Sequence, residues 1–154
     1  MNNLPSVEEV TQLLDLKDEG QVARNESELQ SKYGLTLLVP IYVQAFYKIK
    51  NWAGRMNITF WLARYARKYP DVIEMAIFGL NDRSRIVRNY CCGILAYGQS
   101  KSSIPYLNEL VNHKDESTRE DAVAVITAIE NRNHHLWVDR ENKGNTFWEV
   151  GKIS

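Results

Sequence analysis

The sequence predicts an all-α protein, a short right-handed solenoid of about three helix pairs. Apolar residues recur at the spacing of helix faces along most of the chain. Prolines, glycines and short polar stretches separate these segments at intervals that suit helix pairs. The pair at Asp71–Tyr97 also aligns with the pair at Ser103–Ile129 after a shift of 31 residues. Because one pair cannot bury its own apolar face, we expect neighbouring pairs to share a core.

Composition is that of one globular domain, residues 1–154, with 44% hydrophobic and 25% charged residues. It excludes a disordered, collagen-like or disulfide-stapled chain. The 19 basic and 19 acidic residues cancel, so no net charge draws the protein towards DNA or an anionic membrane. The apolar stretch 35–47 is shorter than the roughly 20 residues that cross a bilayer, and the N-terminus lacks a secretory signal pattern. We therefore expect a cytoplasmic protein that does not enter a membrane.

The first segment, residues 1–36, is predicted to form an N-terminal helical cap. Ser6 and Glu9 have the spacing of a capping box, and Val10 and Leu14 follow at helical spacing. The stretch Asp18–Gly20 is predicted to end this helix. A weaker helix is predicted from about Asn25 to Tyr33, where Gly34 supplies a left-handed residue at the end.

Residues 37–131 are predicted to form the three helix pairs. Pro40 is placed in the first turn of its helix, and a capping box is placed at Ser117. Cys91 and Ile126 fall on the inward faces of their helices. The six predicted helices are Leu37–Lys50 and Arg55–Tyr69, Asp71–Leu80 and Arg85–Tyr97, and Ser103–Val111 and Ser117–Ile129.

Residues 132–154 form a C-terminal extension of different composition. Two aromatic and β-branched stretches, 136–138 and 146–148, flank the polar stretch 139–145. This pattern predicts a small hairpin or a coil.

The central pairs resemble repeats of the HEAT family in its PBS-lyase-like form. The resemblance is carried by the turn Leu80-Asn81-Asp82 and by the sequence Val87-Arg88, followed by Cys91-Cys92 and Leu95. It implies that Asp82 and Arg88 belong to a ladder of acidic and basic residues between neighbouring units. The next unit departs from the pattern, because His113 stands where an acid is expected and Asp115 follows two residues later.

The HEAT resemblance implies several function classes, among them scaffolds, transport factors, immunity proteins and lyase subunits. We expect a non-enzymatic protein-binding module, similar to bacterial immunity or adaptor proteins. Its expected partner is a toxin or another protein with an acidic patch. A lyase-like accessory subunit is an alternative that the family name alone suggests.

A basic block in residues 48–88 predicts the binding residues. It holds nine bases and three acids, interleaved with aromatic residues. Two pairs of arginines are three residues apart, which places each pair on one helix face. Such a mixture suits an acidic protein patch, with a nucleic-acid backbone as the alternative. The predicted binding residues are Arg64, Arg67, Arg85, Arg88, Trp52 and Trp61.

No catalytic motif is recognisable, and we predict no catalytic residue, metal or cofactor. His134 and His135, with Asp139 and Glu141 after them, suggest either a metal site or a solvated loop. Read as a calcium loop, residues 139–150 place a lysine and a valine where oxygen ligands are required, so a solvated loop is favoured. Cys91 and Cys92 are expected to be small core residues.

Overall fold

A computed structural model describes residues 3–151 and 153; residues 1, 2, 152 and 154 of the predicted cap and extension lie outside the described residues. The described part contains eight α-helices and no β-strand, which confirms the all-α class. The helices are α1 (Val7–Leu14), α2 (Glu19–Tyr33), α3 (Leu35–Lys48), α4 (Trp52–Leu62), α5 (Pro70–Gly79), α6 (Arg85–Gly98), α7 (Ile104–Leu110) and α8 (Glu116–Glu130). Short 3-10 segments lie at Ala63–Tyr65, Lys101–Ser103 and His134–Trp137.

The helices pack as four consecutive pairs in two rows. Each odd-numbered helix contacts the even-numbered helix that follows it. In the first row α3 contacts α1 and α5, and in the second row α2, α4, α6 and α8 contact one another in succession. The shared core therefore runs between the two rows, while the assignment of these pairs to a HEAT-like solenoid stays a prediction.

The N-terminal pair begins as the sequence indicates and then differs. The Glu9 amide donates a 3.0 Å hydrogen bond to Ser6 Oγ, which confirms that cap. Helix α2 starts earlier than predicted, because Asp18 caps it by accepting from the Gln21 amide. The Asp18–Gly20 stretch that we interpreted as a helix end is therefore a helix start. Gly34 has a φ of +82°, in the left-handed region that was predicted for it.

Three details of the predicted helices are wrong. Pro40 lies inside α3, beyond the first turn. Helix α4 ends at Leu62 and a 3-10 turn follows, so Arg67 is not on the helix that carries Trp61. Helix α8 starts at Glu116, because the Asp115 carboxylate and not Ser117 accepts the first free amide, that of Thr118.

Close approach of helices shapes the core around α6. Cys91 and Cys92 are fully buried as predicted, and burial raises the pKa of both thiols. A side chain at Gly79 would overlap Cys91 Sγ, so this glycine lets α5 and α6 approach each other. Ile126, which we predicted to be buried, is only partly buried at the edge of the core.

The C-terminal extension adopts the coil alternative and forms no hairpin in the described part. A 3-10 segment packs its Leu136 and Trp137 against the core, and an irregular chain follows. Asp139 is buried, and its carboxylate accepts hydrogen bonds from the amides of Lys143, Gly144 and Asn145. The predicted solvated loop is thus organised around one buried carboxylate.

Candidate binding surface

A bidentate ion pair connects the second and third helix pairs. Arg55 donates from Nε and Nη2 to the two carboxylate oxygens of Asp82, at 2.7 and 2.9 Å. Its Nη1 donates to the carbonyl oxygens of Ile49 and Lys50 in the turn before its own helix. Both side chains are less than a tenth exposed, at 8% and 9%, so the pair holds the two turns together away from solvent.

The next arginine repeats this arrangement. Arg88 donates from Nη1 to the Asp82 carbonyl oxygen and from Nε to Thr118 Oγ1, and its Nη2 lies 3.6 Å from Asp115 Oδ2. Asp82 therefore pairs with Arg55 of the preceding unit, whereas Arg88 reaches the following one. The displaced Asp115, whose place in the ladder the pattern left open, occupies this position. Its pKa is lowered mainly by the hydrogen bond from the Thr118 hydroxyl.

A third arginine ends the series. Arg119 Nη1 donates to the carbonyl oxygens of His113 and Lys114, which matches the inward bonds of Arg55 and Arg88. Within the described residues its Nε and Nη2 have no acceptor. Arg119 therefore bonds the turn before its own helix, as Arg55 and Arg88 do, but makes no bond to a following turn or helix in the described part.

The predicted binding residues do not form one patch. Arg64 stacks on the Trp61 ring, with 4.7 Å between the guanidinium carbon and the ring centroid. Arg67 turns away to stack on Tyr97 and to bond His134 Nδ1. Arg88 is 7% exposed and engaged in the ladder, so it does not belong to an open surface.

The other two predicted binding residues, Arg85 and Trp52, lie in other parts of the sequence from the Arg64–Trp61 contact. Arg85 is exposed at the start of α6, and Trp52 is exposed at the start of α4. The prediction that each arginine pair shares one helix face is wrong, because Arg67 lies outside the helix and Arg88 is buried.

An aromatic groove lies between α4, α6 and the C-terminal extension. We define it by Phe60, Tyr90, Gly93, Trp137 and Trp148, which line a cavity of about 290 Å³. Gly93 keeps this cavity open, since a side chain there would press against the Trp137 ring. Phe60 is 53% exposed near the end of α4. Four aromatic side chains therefore line this concave surface.

The chain end crosses the edge of this groove and is held by His134. His134 Nε2 lies 3.2 Å from the Trp148 carbonyl oxygen, and its Nδ1 lies 3.1 Å from Arg67 Nη2. Arg67 has only donors, so His134 is the tautomer that carries its proton on Nε2. Burial, with His135 and Arg67 nearby, lowers the pKa of His134 and so favours this neutral ring.

His134, His135 and Glu149 bring three possible metal ligands within 4.8 Å of one another. The geometry does not suit a metal ion, however. Both nitrogens of His134 are already engaged, and the Arg67 guanidinium beside it repels a cation. Asp139 is occupied by the loop amides and Glu141 pairs with Lys143, so neither joins the cluster as the sequence pattern suggested. We therefore treat these residues as an anchor for the chain end.

A second groove lies between α2 and α4, on the other side of Phe60. We call it the α2–α4 groove and define it by Glu26, Gln30, Asn57, Phe60 and Trp61, around a cavity of about 560 Å³. Sequence reasoning missed Glu26. It stands four residues after Val22 and three before Leu29, so an acid on the apolar stripe of α2 was the available signal.

Comparison with protein-family models, curated proteins and solved structures finds no match to this chain. Within the part of the chain that the structure describes, no helix is both long and apolar enough to cross a membrane.

Proposed function

We propose that this protein is a non-enzymatic protein-binding module that holds a partner protein in the aromatic groove. The observation that carries the proposal is the exposure of Phe60 beside Tyr90 and Trp148, in a cavity of about 290 Å³. Aromatic side chains in concave, partly desolvated positions are the usual anchors of protein interfaces. Arg64 stands at the same cavity and adds a cation that suits an acidic patch on the partner.

The fold that we propose for this module is a HEAT-like solenoid. Its support is the repeated use of one arginine position, at Arg55, Arg88 and Arg119, each bonded to carbonyl oxygens of the turn before its own helix. Two of these arginines also reach a side chain in the next turn. Such a ladder fixes neighbouring units, so the groove between α4 and α6 is a rigid surface that loses little entropy on binding.

An adaptor or immunity protein of a bacterial cytoplasm fits this description best among the classes that the resemblance implies. A toxin or another acidic-patch protein is the partner we propose. The basic residues support a protein over a nucleic acid, because Arg67 and Arg88 are turned inward or engaged rather than aligned along a backbone-binding stripe. Among the residues that the structure describes, no arrangement specifically favours the lyase-subunit alternative.

Site-specific photocrosslinking in a native-host extract, followed by reconstitution, tests this function. A benzophenone amino acid is placed at Phe60 in the groove and, as a matched control, at Phe78, which is 61% exposed on α5. We expect one protein to crosslink from position 60 and not from 78. The purified protein should then bind the wild type at least tenfold more tightly than Tyr90→Ala combined with Arg64→Glu.

Two results would contradict the proposal. One is a crosslinked protein whose purified form binds the double variant as tightly as the wild type. The other is micromolar binding of random duplex or single-stranded nucleic acid at about 150 mM salt, lost on Arg64→Glu, since non-specific nucleic-acid binders reach about 10⁻⁴ to 10⁻⁶ M.

A further inference from the structure

The floor of the α2–α4 groove holds a buried carboxylate that is only half satisfied. Glu26 is 1% exposed. Its Oε2 accepts hydrogen bonds from the Tyr42 hydroxyl at 3.0 Å and from Gln30 Nε2 at 2.5 Å. Its Oε1 has no hydrogen-bond donor among the described residues. This oxygen is not among the fully buried atoms that lack a partner, so it is open to a donor that enters the groove.

A second acceptor on the opposite helix is also unmet. Asn57 Oδ1 is buried and has no hydrogen-bond partner in the described part of the chain. Asn57 and Glu26 line the same cavity, one from α4 and one from α2. Two hydrogen-bond acceptors that line one groove from different helices favour a ligand that carries several donors.

The outer walls of the groove favour a planar cation. Phe60 presents a half-exposed ring, and the Trp61 ring lies edge-on to it with 5.2 Å between the centroids. The arginine nearest to this groove, Arg64, is stacked on Trp61 and donates from Nε to the Trp61 carbonyl oxygen. It makes no hydrogen bond to Glu26, so the carboxylate has no cation in direct contact among the described residues.

We propose that the α2–α4 groove binds the guanidinium of an arginine side chain from a partner polypeptide. The guanidinium donates to Glu26 Oε1 and Asn57 Oδ1 and stacks on Phe60. An arginine suits the groove better than a lysine, because its donors lie in one plane, it stacks on aromatic rings and it is more easily stripped of water. This proposal depends on the proposed function in one respect, namely that the arginine belongs to the partner protein.

The titration behaviour of Glu26 agrees with this role. Desolvation raises the pKa of Glu26, while the hydrogen bonds from Gln30 and Tyr42 and the charge of Arg64 oppose that rise. A bound cation favours the ionised carboxylate and lowers its pKa. Binding is therefore expected to weaken as the pH falls and Glu26 becomes protonated.

Titration of the full chain with a small arginine probe tests the site. The probe is N-acetyl-L-arginine amide, followed by shifts of the Asn57 and Gln30 side-chain amide signals in NMR spectra. The neutral isostere N-acetyl-L-citrulline amide and N-acetyl-L-lysine amide are the two comparison ligands. We expect saturable shifts with the arginine probe, at least fivefold weaker binding of the lysine probe and no saturable binding of the citrulline probe.

Matched variants identify the carboxylate. Glu26→Gln should weaken the arginine probe at least tenfold, whereas Glu28→Gln, on the exposed face of the same helix, should change it less than twofold. Asn57→Ala supplies an independent variant and should weaken the probe at least threefold. Each variant is first compared with the wild type by amide spectra, so that a loss of folding is not counted as a loss of binding.

Several results would overturn the inference. One is the absence of saturable shifts at probe concentrations up to about 50 times a millimolar dissociation constant. Others are equal binding of the arginine and citrulline probes or of the arginine and lysine probes. The last is an equal loss of binding for Glu26→Gln and Glu28→Gln. None of these results bears on the loss of partner binding caused by changing Tyr90, which lines the aromatic groove and not the α2–α4 groove, so failure of this site and failure of the proposed function remain distinguishable.

Discussion

Arg55 and Asp82 lie 27 residues apart in the sequence and are joined by two hydrogen bonds of 2.7 and 2.9 Å in the interior of the fold. Removing one member leaves the other charged and buried, which typically costs about 3–5 kcal/mol. Asp82→Ala is therefore expected to lower the free energy of unfolding by that amount. Urea denaturation followed by circular dichroism measures the change.

The exposed ion pair between Lys48 and Glu8 is the control for this measurement. Its side chains are 54% and 68% exposed, so solvent screens the interaction. Glu8→Ala should leave the denaturation midpoint within error of the wild type. A loss for Asp82→Ala no larger than that for Glu8→Ala would show that the Arg55–Asp82 pair contributes nothing to stability.

The ladder predicts that Arg88→Ala and Arg119→Ala lower the free energy of unfolding by different amounts. Arg88→Ala removes bonds to the Asp82 carbonyl oxygen and to Thr118 from a buried position, and should cost about 2 kcal/mol or more. Arg119→Ala removes only bonds to turn carbonyl oxygens and should cost about 1 kcal/mol or less. Chemical denaturation of both variants measures the difference, and equal losses would contradict the ladder.

Two glycines in helices are expected to respond in opposite directions to alanine. A methyl group at Gly54 would overlap the backbone carbonyl oxygen of Leu14, which is unable to move aside as a side chain would. Gly54→Ala should therefore cost about 1–3 kcal/mol through overpacking. Gly20→Ala meets only the movable side-chain ends of Asp18 and Arg24 and should raise stability by up to about 1 kcal/mol. Thermal melts test the pair, and a stabilised Gly54→Ala would contradict the close approach of α1 and α4.

Differences in burial predict different stability losses for truncating Leu95 and Ile126, two aliphatic residues of the last two helix pairs. Leu95 is fully buried in α6, whereas Ile126 is only partly buried on α8. Leu95→Ala should cost about 2–5 kcal/mol, and Ile126→Ala should cost less than half as much. The free energies of unfolding in urea give this ratio. A larger loss at Ile126 would place it in the core, as the repeat alignment predicts.

Asp139 makes the C-terminal loop sensitive to acid. The hydrogen bonds from the amides of Lys143, Asn145 and Gly144, with that of Lys143 the largest cause, hold the pKa of Asp139 below its ordinary value. Such a group stabilises the folded state above the pKa of the unfolded chain, about 3.9, and loses that contribution as the pH falls through the lower folded value.

Asp139→Asn is therefore expected to lower the melting temperature at pH 7, and the gap to the wild type should close below about pH 4. Glu141→Gln, an exposed acid of the same loop, is the control and should show no such gap. A gap that is the same at pH 7 and pH 3 would indicate that the loop amides do not depend on the charge of Asp139.

The sequence predicts much of the fold because local signals and burial agree there. Local signals determine the cap at Ser6, the positive φ at Gly34 and the buried position of Cys91. Each of these features lies where the sequence pattern places it. Asp18 and Asp115 were misread because an acid suits both a turn and a helix cap, and only the following amide decides between them. The end of α4 was misread because a 3-10 turn keeps apolar residues on nearly the same face.

The grooves were harder to predict than the helices. Arg64 and Trp61 are close in sequence and belong to the same predicted block of basic and aromatic residues, and they contact each other. The aromatic groove joins Phe60 to Trp148 across 88 positions of an irregular chain end, and no periodicity relates residues that far apart. Asp82 was placed in a ladder between units, but a motif within one unit does not identify the arginine its carboxylate contacts, which is Arg55.

The two adjacent thiols of α6 make thiol labelling a direct measure of how often the protein core opens. Cys91 and Cys92 are the only cysteines in the chain, both are fully buried, and burial raises the pKa of both. A thiol reagent therefore reacts only with molecules whose central helices have separated. The rate at which the unaltered chain is labelled reports how often its middle comes apart, with no probe introduced.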